Sequence, residues 1–145
     1  MIAINPYLNF AGNTEEAFNF YKSIFGGDFA MVMRFDGTEG SENLSAEDKQ
    51  KIMHISLPVK GNMIMGTDVM GAMGQQLVVG NNFHLVLGTE SKEESDDLYT
   101  KLSAGGETTL PMQDMFWGAY YGQLTDKFGI QWMISYDPRF ATQNP

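Results

Sequence analysis

The sequence predicts an α+β protein made of two βαβββ modules whose curved mixed sheets face one cleft. Three observations predict it. Two amphipathic helices open and close with the same punctuation, at an offset of 78 residues. A run alternating between apolar and polar residues precedes each helix. Three strand-like runs follow each helix, and the last two of them read as a hairpin. The chain, 1–145, reads as one domain: module one about 1–70, a Gly- and Met-rich linker about 70–80, and module two about 81–138.

In the first run, Ile4, Leu8 and Phe10 alternate with Asn5, Tyr7 and Asn9. Such alternation gives a strand with one apolar face, against a helix, and one face turned elsewhere. Asn13-Thr-Glu-Glu opens the first helix, with Asn13 expected to cap it and Glu16 at the third helical position, as in a capping box. Ala17, Phe20, Tyr21 and Ile24 form its apolar stripe, and Gly26-Gly27 ends it. Strand-like runs follow at 28–36, 51–60 and 63–69, with a tight turn at Lys60-Gly61-Asn62-Met63. Between the first two lies an acidic loop, Gly37 to Gln50, in which Ser45-Ala-Glu-Asp reads as the start of a short helix.

The second module repeats the scheme. Phe83, Leu85 and Leu87 alternate with His84, Val86 and Gly88. Ser91 caps the second helix with Glu94 at its third position; Leu98, Tyr99 and Leu102 make the stripe; Gly105-Gly106 ends it. Strand-like runs follow at 107–113, 118–125 and 130–136, the last pair joined by Asp126-Lys127-Phe128-Gly129, where glycine suits a positive φ. The hairpins repeat at an offset of 68, matching Gly61 to Gly129 and Met65 to Met133, so the acidic loop accounts for the extra length of module one. An unrelated α+β sandwich with two similarly capped helices would explain the caps but not this agreement of lengths.

Composition narrows the function. The net charge of −9 repels phosphate backbones and argues against nucleic acid as a partner. That acidity would either favour a cationic ligand or only keep the protein soluble. Glu15, Glu16, Glu93 and Glu94 have a local explanation, since helix first turns favour acids. With no cysteine there is no disulfide, no thiolate nucleophile and no cysteine-bound metal. No apolar run has spanning length and no basic-then-apolar leader is seen, so a cytoplasmic setting and no membrane partner are expected.

Several stretches together resemble the PhnB-like branch of the glyoxalase/bleomycin-resistance/dioxygenase (vicinal-oxygen-chelate) superfamily. They are Asn5-Pro-Tyr-Leu-Asn-Phe, Glu16-Ala-Phe-Asn-Phe-Tyr, Phe25-Gly-Gly, Met53-His-Ile, Met65-Gly-Thr-Asp, Phe116-Trp-Gly and Thr125-Asp-Lys-Phe-Gly-Ile-Gln-Trp. The resemblance implies paired βαβββ modules and a homodimer. Some members carry a ubiquinone methyltransferase label, but the chain has no glycine-rich strand-to-helix loop followed by an acid, as a Rossmann-type cofactor site requires. Metal enzymes of the superfamily place one ligand on the first and one on the last strand of each module. The resemblance puts those positions at Asn5, Met65, His84 and Met133. Only His84 is a good donor; an amide oxygen and two thioethers suit hard or borderline divalent ions poorly. No metal and no cofactor are therefore expected, with a divalent ion disfavoured.

His54 shares strand parity with Ser56 and is expected to face the cleft. It is the candidate catalytic residue, as a base or an anion contact near neutral pH. The alternative is a structural histidine tied to a backbone carbonyl. Asp68 could orient it or cap the linker turn. A soft, aromatic-walled pocket is expected from Tyr7, His54, Met65, His84, Trp117, Tyr121 and Met133, suited to a flat or greasy small molecule. The methionines could equally be core packing, and Trp117 a dimer contact. Three functions remain open: a metal-independent binder of a small organic ligand; an enzyme (lyase, isomerase or dioxygenase type) on a small oxygenated metabolite, assisted by His54 or by a metal at His84; and a regulatory dimer with a vestigial cleft.

Overall fold

The computed structural model describes residues 2–139. The chain divides after Val78 into two compact units. The first contains β1 (Tyr7–Phe10), α1 (Thr14–Phe25), β2 (Met31–Arg34), α2 (Ala46–Lys49), β3 (Ile52–Val59) and β4 (Asn62–Asp68). Its sheet runs β1-β4-β3-β2, with β1 parallel to β4 and the other pairs antiparallel. The second contains β5 (Leu85–Gly88), α3 (Lys92–Ser103), β6 (Glu107–Asp114), β7 (Tyr120–Thr125) and β8 (Gln131–Tyr136). Its sheet runs β5-β8-β7-β6 with the same pattern of directions. Both units are thus βαβββ modules with mixed four-stranded sheets, and the α+β class stands. A 3₁₀ turn, Gly71–Met73, follows β4 within the first unit. Among the described residues no helix is long and apolar enough to cross a membrane.

In the first unit, Leu8, Phe10, Ile55, Leu57 and Ile64 are buried on the face that α1 covers. The helix buries Thr14, Ala17, Phe18 and Tyr21, a helical i, i+3, i+4, i+7 stripe. The expected stripe is therefore rotated: Phe20 and Ile24 are only half-buried, and Phe18 points inward. Gly66 on β4 is the reason. A Cβ there would stand 2.5 Å from Cε1 of Phe18, so the missing side chain makes room for the ring. Phe18 then meets Phe10 and Tyr21 edge-on, with centroids 6.3 and 5.6 Å apart.

The start of α1 differs from expectation in a second way. The Asn13 side chain makes no capping bond. Asp68, at the far end of β4, does that work instead. Its Oδ1 accepts from the backbone N–H of Gly12 (3.1 Å) and Thr14 (3.0 Å) and from the Thr14 hydroxyl (2.6 Å). Its Oδ2 accepts from the Ile52 N–H at 2.8 Å. Asp68 therefore neither orients His54 nor caps the linker turn. The second unit follows the local rule: Ser91 accepts from the Glu94 N–H at 3.0 Å, and Glu94 reaches back to the Glu90 N–H at 3.1 Å. The contrast gives an expected result. Ser91→Ala should cost about 1 kcal/mol, the usual loss for a serine cap, and Asn13→Ala under about 0.5 kcal/mol, both read by urea unfolding. Equal losses would refute the assignment of the caps.

The strand limits follow hydrogen-bonding capacity. β1 begins at Tyr7, later than the alternation suggests, because Pro6 has no N–H for the ladder. Its carbonyl still accepts from Met65 N–H, and Asn5 Oδ1 accepts from Met63 N–H, each at 3.0 Å. His84 likewise precedes β5. The tight turn between β3 and β4 holds Lys60 (φ 43°) and Gly61 (φ 81°) in the left-handed region, which suits a two-residue hairpin. The β7–β8 turn is organised by Asp126, which accepts from the N–H of Phe128 and Ile130 and from the Trp132 indole at 2.9 Å. Trp132, Ile134, Leu124 and Leu102 form the second core. Burial pushes the Tyr99 hydroxyl's pKa up, and that hydroxyl is shared between the carbonyls of Leu110 (3.0 Å) and Gln123 (3.3 Å). The expected short helix is α2, with Ser45 accepting from Asp48 N–H at 3.1 Å.

Candidate functional site

Each sheet has a face that its helix does not cover, and strand register decides which side chains share it. Directly paired residues project to the same side. In the first unit one row across the sheet is Tyr7, Met65, Ser56 and Met31. His54 stands one step away on β3, opposite Met33. The register slips next to it, between Met33 and Arg34, so Met33 pairs with His54 while Arg34 pairs with Ile52. This bulge lets Ile52 turn into the core at 1 % exposure and leaves His54 half-buried on the helix-free face.

On that face the Tyr7 hydroxyl and His54 Nδ1 form a hydrogen bond of 3.1 Å. The rings lie 5.6 Å apart, tilted by 43°. The expected partner of His54 was a carbonyl or Asp68; the structure supplies a phenol. Sequence parity had put both residues on one face but held no sign of the pair, which spans β4. Tyr7, His54 and Met65 are thereby brought together.

The second unit has a matching row: Val86, Met133, Gln123 and Leu110. The Gln123 amide donates to the Tyr121 hydroxyl at 2.8 Å. Trp117, in the β6–β7 connection, packs edge-on between Phe116 and Tyr121, with centroids 5.0 and 5.8 Å away. Its carbonyl accepts from Arg139 at 2.9 Å, which anchors the connection. Gln123 thus links the predicted Tyr121 to the predicted Met133. Gln123 shares strand parity with Tyr121, but its local sequence pattern carries no sign of this role. His84 stands just before β5, outside this row, and joins neither group.

Other titratable groups serve the scaffold. Tyr120 donates to Asp96 at 2.6 Å, and this bond, aided by burial, pushes its pKa up to about 12. Lys92 sits over its ring at 5.0 Å and pairs with Asp114 at 2.9 Å, tying α3 to the sheet. Near the start of α1 a pocket of about 340 Å³ is lined by Glu15, Arg34, Glu47, Gln50 and Lys51 among others. There Arg34 grips Glu15 at 2.6 Å, and the hydrogen bond holds the Glu15 carboxyl below the usual carboxylate range.

The superfamily's metal positions can be tested on these donors. Asn5 Oδ1 is already engaged by Met63 N–H, and Met65 and Met133 offer only thioethers. Among the described residues no three His, Cys, Asp or Glu side chains gather to hold an ion. The set does not fit zinc, magnesium or similar ions, which need several nitrogen, carboxylate or thiolate donors.

Comparison with known proteins agrees with this architecture. A family model described as 3-demethylubiquinone-9 3-methyltransferase matches residues 2–135. Protein YjdN of Escherichia coli K12 is 32% identical over 97% of this chain and 99% of its own. The crystal structure of protein PA1353 from Pseudomonas aeruginosa shares 33% identity with a TM-score of 0.81, covering 94% of this chain and 98% of that one. A Bacillus cereus PhnB protein, described as a putative 3-demethylubiquinone-9 3-methyltransferase, shares 26% with a TM-score of 0.69, over 93% and 99% of the two chains. A glyoxalase/bleomycin resistance protein/dioxygenase family enzyme from Burkholderia phytofirmans has the same fold at 18% identity, with a TM-score of 0.61 over 92% and 98%. With its two βαβββ sheets and this match along nearly its whole length, the chain has the fold of glyoxalase/bleomycin resistance protein/dioxygenase family proteins and belongs to the PhnB-like family described as 3-demethylubiquinone-9 3-methyltransferase.

Proposed function

We propose that the protein binds a small organic ligand on the helix-free faces of its sheets, without a resident divalent metal. The observation that carries this reading is the Tyr7–His54 hydrogen bond at 3.1 Å beside Met65. A polar pair set among thioethers and aromatic rings suits a ligand with a flat or greasy body and one or two hydrogen-bonding atoms. Trp117, Tyr121 and Gln123 offer the same combination in the second unit. The homodimer implied by the superfamily and a cytoplasmic setting belong to the same reading. Methyl transfer receives no support from the strand-to-helix connections: Gly12 stands alone between β1 and α1, where a nucleotide-type cofactor loop needs several glycines.

A thermal-shift screen of organic metabolites and drug-like cations, followed by calorimetry, tests the reading, because a ligand that binds only the folded state stabilises it. For a confirmed ligand, His54→Ala should weaken binding about tenfold, the loss of roughly one good hydrogen bond. Tyr7→Phe should weaken it less. Wild-type affinity in both His54→Ala and Tyr121→Phe would sink the proposal. A second reading rests on the same bond, since a phenol that orients an imidazole is also how a general base is positioned. Under that reading the ligand is converted to product, and His54→Ala abolishes conversion.

A further inference from the structure

The chain has no cysteine, yet it contains eleven methionines, and the first sheet gathers several of them around a histidine. Met33 is the direct cross-strand partner of His54. Met65 pairs with Ser56, two residues along β3 from His54, and so lies diagonal to it on the neighbouring strand. All three project from the helix-free face, and they are accessible: Met33 is 38% exposed, and Met65 and His54 are half-buried. Cβ atoms of direct cross-strand partners stand about 5 Å apart, and diagonal neighbours about 7–8 Å apart. Methionine's unbranched, flexible chain bridges such gaps.

Thioether sulfurs suit hard divalent ions poorly but are soft donors that select monovalent copper, and imidazole nitrogen is a good copper ligand beside them. The Tyr7 hydroxyl adds an orienting contact. It engages Nδ1 at 3.1 Å, and with Tyr7 oxygen accepting from Nδ1–H the Nε2 lone pair is left for a metal. Histidine ligands are commonly held in this way by a hydrogen bond at the other ring nitrogen. We propose that His54 Nε2 and the sulfurs of Met33 and Met65 form a site for a soft monovalent cation, Cu(I) or Ag(I). This goes beyond the organic-ligand reading and does not depend on it.

The test uses the full chain with methionine methyl groups carbon-13 labelled, titrated with Ag(I), and separately with Cu(I) against a chromophoric chelator under anaerobic conditions. One equivalent should bind, and the Met33 and Met65 methyl signals should shift while that of Met73, exposed in the linker, stays in place. Met33→Leu, Met65→Leu and His54→Ala should each weaken binding at least tenfold, and Met73→Leu should leave it unchanged. The leucine replacements keep side-chain volume, so loss of fold does not confound them. Failure of the chain to compete with the chelator, or wild-type binding in the three variants, overturns the proposal. An organic ligand found by the thermal screen would stand whichever result is obtained.

Discussion

Replacing Asp68 with alanine is expected to destabilise the first unit by about 3–4 kcal/mol, because it strands several buried donors at once. The carboxylate is 2% exposed and accepts four hydrogen bonds, from Gly12, Ile52 and both donors of Thr14. A bond to a charged acceptor is worth more than a neutral one, and an unmatched buried N–H costs about 1–3 kcal/mol. Asp68→Asn should lose less, since the amide keeps one oxygen acceptor while turning its NH₂ toward other donors. Urea unfolding followed by far-UV circular dichroism gives the comparison. A loss below 1 kcal/mol for the alanine variant would show that these bonds do not hold α1 to its sheet.

Gly66→Ala is the second large effect. The new Cβ would stand 2.5 and 2.9 Å from two atoms of the Phe18 ring and 3.3 Å from the Leu8 carbonyl oxygen. Phe18 is fully buried and cannot swing aside, so the ring or the strand must shift. Overpacking of this kind costs about 1–3 kcal/mol, and a site closed on two sides belongs at the upper end. Phe18→Leu alone should also destabilise. The double variant, though, should be more stable than the sum of the two losses predicts, because the smaller side chain relieves the clash. Strict additivity in that cycle would place the strain somewhere other than the Gly66–Phe18 contact.

The strands and helices were legible because their signals are local. Alternation marked Leu8 and Phe10 as inward, and Ser91 with Glu94 marked the start of α3 as observed. What was not legible depended on partners far apart in sequence. Asn13 sits where a cap belongs, but a residue 54 positions from Thr14 took over the role. Phe18 rather than Phe20 faces inward because Gly66 on another strand leaves a space. At the candidate site, parity put Tyr7, His54 and Met65 on one face correctly. The Tyr7–His54 contact needed the order β1-β4-β3, which no local pattern encodes. Gln123 was missed for the opposite reason: a glutamine in a strand carries little signal until its amide is seen against Tyr121.

The Asp68 bonds also bear on the order in which the chain can organise itself. The Ser91 cap closes over 3 residues, so α3 can acquire its N-terminal bonds as soon as its own first turn forms. The start of α1 must wait until β4 has been delivered across 54 residues of chain, and the entropy of closing that loop precedes any gain from the bonds. Two halves with one topology therefore do not share one assembly route: the second nucleates from within its own helix, and the first is completed only by its last strand.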